Sequence, residues 1–135
     1  MRSIHLSGLG LLTALGCTFA AGAASFDGSR PLLCAPTDVA QCDPAARCER
    51  VSPSEVDLPS FLRLDFKRKA ISNIEPPERS TAIENVRSVD GLTILQGAEN
   101  GRAWSIVVDQ ATGKLTGSVA DGAGAFVVFG ACTVQ

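Results

Sequence analysis

Three short β-type runs divided by two glycine-bearing turns, between Gly101 and Cys132, constrain this chain more than any other stretch. The runs are Gly101-Arg-Ala-Trp-Ser-Ile-Val-Val-Asp109, Lys114-Leu-Thr-Gly-Ser-Val-Ala120 and Ala125-Phe-Val-Val-Phe-Gly-Ala-Cys132. Gln110-Ala-Thr-Gly113 and Asp121-Gly-Ala-Gly124 separate them. Runs and turns of this kind make an antiparallel meander. Trp104, Ile106 and Val108 fall on one face of the first run, and Leu115, Gly117 and Val119 on one face of the second. The third run is apolar on both faces from Ala125 to Phe129, so it is expected to be covered on both sides.

The same grammar continues upstream. Pro31 to Ala35 reads as a first strand after a polar, mobile lead, Ser25 to Arg30. Pro44-Ala-Ala-Arg47 suits a helical turn capped by Asp43, and Ser52 to Ser60 is an irregular, proline-rich linker. Phe61 to Phe66 alternates, with Leu62, Leu64 and Phe66 inward. Lys67-Arg-Lys69 makes a charged turn, and Ala70 to Ile74 returns. Between Ser80 and Val89 the parity slips, because Ile83 and Val86 cannot share a pleat face. A bulge near Glu84 and Asn85, or two short strands, would account for it. Asp90-Gly91 and Asn100-Gly101 bracket a strand from Leu92 with tight hairpin turns. The expected fold is all-β: a single small antiparallel meander of about seven or eight strands, as an up-and-down barrel or curled sheet, with a β-sandwich as the alternative.

At the start, Met1-Arg2-Ser3, an apolar run from Ile4 to Ala20 and the small residues up to Ala24 read as a secretory signal peptide. Residues 1–23 would be the leader and 24–135 one β domain. A retained membrane anchor and lipid attachment at Cys17, behind Ala14-Leu15-Gly16, are the alternatives. Without the leader, about 112 residues remain, enough for one small core. No mature segment has the length of a membrane-spanning helix. The formal charge is −2, and loss of Arg2 makes it more acidic, so nucleic acid is not an expected partner.

Four cysteines stay in the mature chain: Cys34, Cys42, Cys48 and Cys132. An even number in a small exported domain reads as two disulfides with three connectivities. Cys42–Cys48 is favoured because a short proline-containing turn brings the two together. That leaves Cys34–Cys132, which would tie the first strand to the last.

Absent residues narrow the chemistry. The one histidine, His5, lies in the leader, and the chain has no tyrosine. A Ser-His-Asp or Cys-His arrangement cannot be built, nor a histidine-ligated metal site. No nucleophile elbow, P-loop or dinucleotide fingerprint occurs. No catalytic residue, cofactor or metal is expected. The carboxylates Asp57, Asp65, Glu75, Glu78, Glu84, Asp90, Glu99, Asp109 and Asp121 read as turn and strand-face residues, unless two of them meet as an acid/base pair. Arg63, Lys67, Arg68 and Lys69 form a basic cluster, either a surface site for an anion or a solvated hairpin tip guarding an edge. Trp104 reads as the main core aromatic, with an exposed recognition role as the alternative.

The segments Gly101-Arg-Ala-Trp-Ser105, Asp109 to Lys114 and Phe126-Val-Val-Phe-Gly-Ala-Cys-Thr133 resemble a set of small exported bacterial proteins with no assigned activity. That resemblance implies export and a compact β domain, and no reaction. In size, export and cysteines the chain is also similar to the periplasmic β-barrel inhibitors of lysozyme, but their Ser-Gly-x-x-Tyr loop has no counterpart here. The expected function is that of an exported, monomeric, non-enzymatic binding or interaction module of the bacterial cell envelope. It would reside in the periplasm or outside the cell, with an envelope protein or small ligand as partner. The alternatives are an inhibitor of a cell-wall hydrolase, a small-ligand carrier with an apolar cavity of a few hundred Å³, and a carboxylate-based hydrolase.

Overall fold

Turn chemistry sets the strand boundaries. Asp90 and Gly91 have φ of 49° and 79°, and Asn100 and Gly101 have 50° and 78°. Two successive left-handed residues make the two-residue hairpin whose twist matches its flanking strands. The structure, a computed structural model, describes residues 25–45 and 47–135. The expected leader, its cleavage point and Cys17 lie outside the described residues.

Ten strands follow in order: β1 (Leu32–Cys42), β2 (Glu49–Val51), β3 (Leu62–Asp65), β4 (Ala70–Asn73), β5 (Ser80–Ala82), β6 (Asn85–Val89), β7 (Leu92–Glu99), β8 (Arg102–Asp109), β9 (Lys114–Ala120) and β10 (Ala125–Val134). Among the described residues there is no α-helix, hence none that could cross a membrane, and one 3₁₀ turn, Pro53–Val56. All pairings are antiparallel, in the order β5-β4-β3-β1-β10-β9-β8-β7-β6, with β2 beside β1. One curled sheet takes the place of the sandwich alternative.

The two end strands of that order are neighbours in sequence, separated only by Ile83 and Glu84. The Ile83 N–H donates to the Lys69 carbonyl at 2.8 Å, and the Glu84 N–H donates to the Gln96 carbonyl at 2.9 Å. One segment therefore serves β4 with its first half and β7 with its second. The half-barrel is stitched at this point, and the parity slip in the sequence is its signature. Ile83 is buried while Val86 is exposed.

Both expected disulfides are present. Cys34 and Cys132 face each other in the β1–β10 ladder, 98 residues apart in sequence, and Cys42–Cys48 closes a separation of 6. Two disulfides belong to an oxidising, exported environment. The core is packed at one end of the curl by Leu32, Leu64, Leu95 and Val108, all fully buried, with Phe26, Cys34, Ile71, Ile83 and Leu115. Each buried aliphatic side chain contributes roughly 1.5–3 kcal/mol. The two ends of the described chain come together here. The Gln135 N–H donates to the Pro31 carbonyl at 3.0 Å, and the Arg30 guanidinium donates to the Gln135 carbonyl.

Four local expectations are corrected. The lead is not loose: Phe26 is buried, its N–H reaches the Gln110 carbonyl, and its carbonyl accepts from Thr93 Oγ1 at 2.9 Å. The first strand runs on to Cys42 because a bulge at Pro36–Asp38 absorbs the proline. Pro44 and Ala45 form a bend, with no helical turn among the described residues there. The third run of the meander is not covered on both faces along its length, since Phe129 is 46% exposed. In addition, the linker contains a 3₁₀ turn at whose start the Ser52 N–H and hydroxyl both donate to the Glu55 carboxylate at 2.6 Å.

Candidate functional site

The curl is filled at one end and hollow at the other. At the hollow end the inward positions of β3, β4, β8, β9 and β10 carry Leu62, Ile71, Trp104, Val119 and Phe126 around a cavity of about 310 Å³. Val56, the last residue of the 3₁₀ turn, and Leu58 and Pro59 just beyond it also line it. The meander read from sequence thus supplies three of its walls.

Trp104 owes its place to Gly97, its cross-strand partner on β7. A Cβ on Gly97 would lie 2.3 Å from Cζ2 of the indole ring and 2.7 Å from the Ala82 carbonyl oxygen. Without a side chain at Gly97, the indole ring and the Ala82 carbonyl of β5 can both approach its Cα. Trp104 is half-buried, so it combines the core role with an open face on the cavity. Its Nε1 is buried without a hydrogen-bond partner, and so is Oγ1 of Thr81, which lines the same cavity. Thr81 stands opposite Ile71 in the β4–β5 ladder and shares its inward face.

The mouth is polar and internally paired. Asn73, at the end of β4, donates through Nδ2 to the Glu75 and Pro77 carbonyls at 2.7 and 3.0 Å. Its Oδ1 accepts from the Arg79 N–H at 2.5 Å. This shapes the 75–79 loop and sends the Arg79 guanidinium to Asp57, with Nη1 2.6 Å from Oδ2. Arg102 reaches Asp121 at 3.5 Å and stands opposite Glu99 across the hairpin.

A second recess of about 530 Å³ adjoins the cavity and shares Val56, Asp57, Arg102, Val119 and Phe126 with it. Glu55 and Asp121 also line it. The Ser52 hydroxyl and N–H hold the Glu55 carboxyl below the usual carboxylate range. The Ala123 and Gly124 N–H groups, with Arg102 further off, do the same for Asp121. Both stay ionised, the wrong state for a general acid at neutral pH.

Among the described residues no group of three or more His, Cys, Asp or Glu is placed to hold a metal ion. The basic cluster lies on the β3–β4 hairpin: Arg63 is outward on β3, and Lys67, Arg68 and Lys69 are in the exposed turn, where Arg68 pairs with Asp65 at 3.7 Å. That turn is at the packed end of the hairpin, whereas Leu62 and Asn73 at its other end line the cavity. The cluster and the cavity are separate features. Gly97 and Thr81 were not singled out in the sequence; a glycine facing the only tryptophan was the available signal. No family model matches the chain, and no curated protein or solved structure is significantly similar to it.

Proposed function

We propose that this chain is an exported, non-enzymatic binding domain of the cell envelope, monomeric, that takes a small ligand into the hollow end of its curled sheet. The observation that carries the reading is the contrast between the two ends: one closed by fully buried side chains, the other left as a cavity of about 310 Å³ beneath a half-buried tryptophan. Concave, mainly apolar sites of a few hundred Å³ with few polar groups are the usual form of small-molecule sites. The paired disulfides fit residence in the periplasm or outside the cell. The non-enzymatic part rests on the carboxylates around the neighbouring recess. Glu55 and Asp121 are held ionised by the donors they accept from, and Asp57 is engaged by Arg79.

The test is native mass spectrometry of the protein purified from envelope extracts without denaturation. A bound small molecule should accompany the wild type and be lost from Val119→Phe, which fills the cavity. A wild type that carries no adduct from any extract, or a variant that retains it, would speak against the cavity as the site.

A further inference from the structure

We propose that the hollow end selects an organic cation, with an apolar body held in the cavity and a positively charged head, of the quaternary-ammonium kind, held at its mouth. This rests on the binding reading above and names the ligand class.

Two independent observations point to it, one from the wall and one from the rim. The aromatic wall offers carbon. Nε1 of Trp104 and Oγ1 of Thr81 are buried without a partner, so neither atom faces the cavity that their residues line. With its nitrogen turned into the protein, the half-buried Trp104 side chain can show the cavity only ring carbon. Leu62, Ile71, Val119 and Phe126 add apolar surface, and Phe126 lines both the cavity and the adjoining recess, where the two join. An apolar body gains from burial against such a wall. Aromatic rings carry a negative face, which attracts a cation and not an anion.

The rim supplies the sign of the charge. Glu55, Asp57, Glu99 and Asp121 line the cavity or the recess, against Arg79 and Arg102. Each arginine is taken by one carboxylate, Arg79 by Asp57 at 2.6 Å and Arg102 by Asp121 at 3.5 Å. Glu55 and Glu99 are left in excess. Glu55 accepts from the Ser52 N–H and hydroxyl, neutral donors that hold its carboxyl ionised and do not cancel its charge. Asp43 lines the recess as well, and Glu75 and Glu78 share the loop that carries Arg79. The basic turn Lys67-Arg-Lys69 is at the far end of β3, roughly 10 Å or more along the strand. Salt screens exposed charges over about 8 Å, so that turn does not offset the rim. A cleft with low-dielectric walls and one sign of charge at its entrance focuses the field there and draws in the opposite charge. A neutral ligand would make no use of this excess, and an anion would have to pass it.

The experiment compares three probes of one shape: benzyltrimethylammonium, a cation; neopentylbenzene, its neutral hydrocarbon counterpart; and phenylmethanesulfonate, an anion with a tetrahedral head. Affinities come from calorimetry and from the fluorescence of the chain's one tryptophan. Benzyltrimethylammonium should bind at least about tenfold more tightly than phenylmethanesulfonate. It should also bind no more weakly than neopentylbenzene, although water holds the cation and not the hydrocarbon. Glu55→Gln combined with Glu99→Gln removes the excess charge at two exposed positions and keeps the side-chain shapes. That variant should lose several-fold in affinity for the cation and keep its affinity for neopentylbenzene, which also shows that the cavity is intact. Raising sodium chloride from about 20 to about 500 mM should weaken the cation several-fold in the wild type and spare the hydrocarbon, a check that needs no substitution.

Equal or tighter binding of the sulfonate, a clear preference for the hydrocarbon, or cation affinity that responds to neither the substitutions nor salt would each overturn the proposed ligand class. Failure of all three probes to bind overturns it as well. The binding reading itself falls only if the envelope-extract experiment is also negative.

Discussion

Gly97 shows how much can depend on the absence of one side chain. Its φ is unremarkable, so backbone freedom is not the reason for glycine; the reason is the space taken by the Trp104 ring and the Ala82 carbonyl. Gly97→Ala should destabilise the fold by roughly 1–3 kcal/mol, the range for overpacking a filled position. Urea denaturation checks this, and a loss under about 0.5 kcal/mol would mean that the indole yields freely. Asp109 acts in the opposite way, by what it accepts. Its Oδ1 takes the Ala111 N–H, the Thr112 N–H and the Thr112 hydroxyl at 3.0, 2.7 and 2.8 Å. Those bonds, with Lys114 nearby, hold its carboxyl below the usual range. A carboxyl with a depressed folded-state pKa contributes stability above its unfolded pKa and loses it as pH falls through the folded one. The melting temperature should therefore fall below about pH 4, and Asp109→Asn should make that acid limb shallower. Identical acid limbs would remove Asp109 from the account.

Among the elements, the disulfide between β1 and β10 and the one beside β2 restrain very different lengths of chain. The chain-entropy model gives the 98-residue separation roughly 2–3 kcal/mol more stabilisation than the separation of 6. Cys132→Ser should accordingly lower stability more than Cys48→Ser, by calorimetry on both variants; the reverse order would contradict that model here. The strands themselves were legible wherever local chemistry decides. Asp90-Gly91 and Asn100-Gly101 announce their hairpins, and the slip between Ile83 and Val86 announces the division of β5 from β6. What was hidden depends on distant partners. Pro36 looked like the end of β1, yet β10 continues beside it across a bulge. Phe26 looked like part of a loose lead, yet the Gly113 turn offers its ring a seat from 87 residues away in the sequence. Phe129 has the pattern of a doubly covered strand, but among the described residues its outer face is left largely open. The cavity was hidden for the same reason. Its walls were read as inward faces, but the level at which they stop filling the curl depends on the stagger of all the strands together.

For the molecule as a whole, the packed base and the hollow mouth stand at opposite ends of β10, about 30 Å apart for a ten-residue strand. Phe126 is at the mouth, while Val134 is at the base, where Gln135 bonds the Pro31 carbonyl. Both ends of the described chain therefore leave from the base. An attachment at either terminus holds the domain by its foot. Immobilising the protein on a sensor surface through a tag after Gln135 should leave the affinity for the small molecule that co-purifies with it as it is in solution, whereas attachment through Asn100→Cys on the rim should reduce it several-fold; equal affinities in both orientations would place the entrance elsewhere. A short tether at either end of the described chain would thus join the domain at the end opposite its opening, a built-in bearing that leaves the mouth turned away from its support.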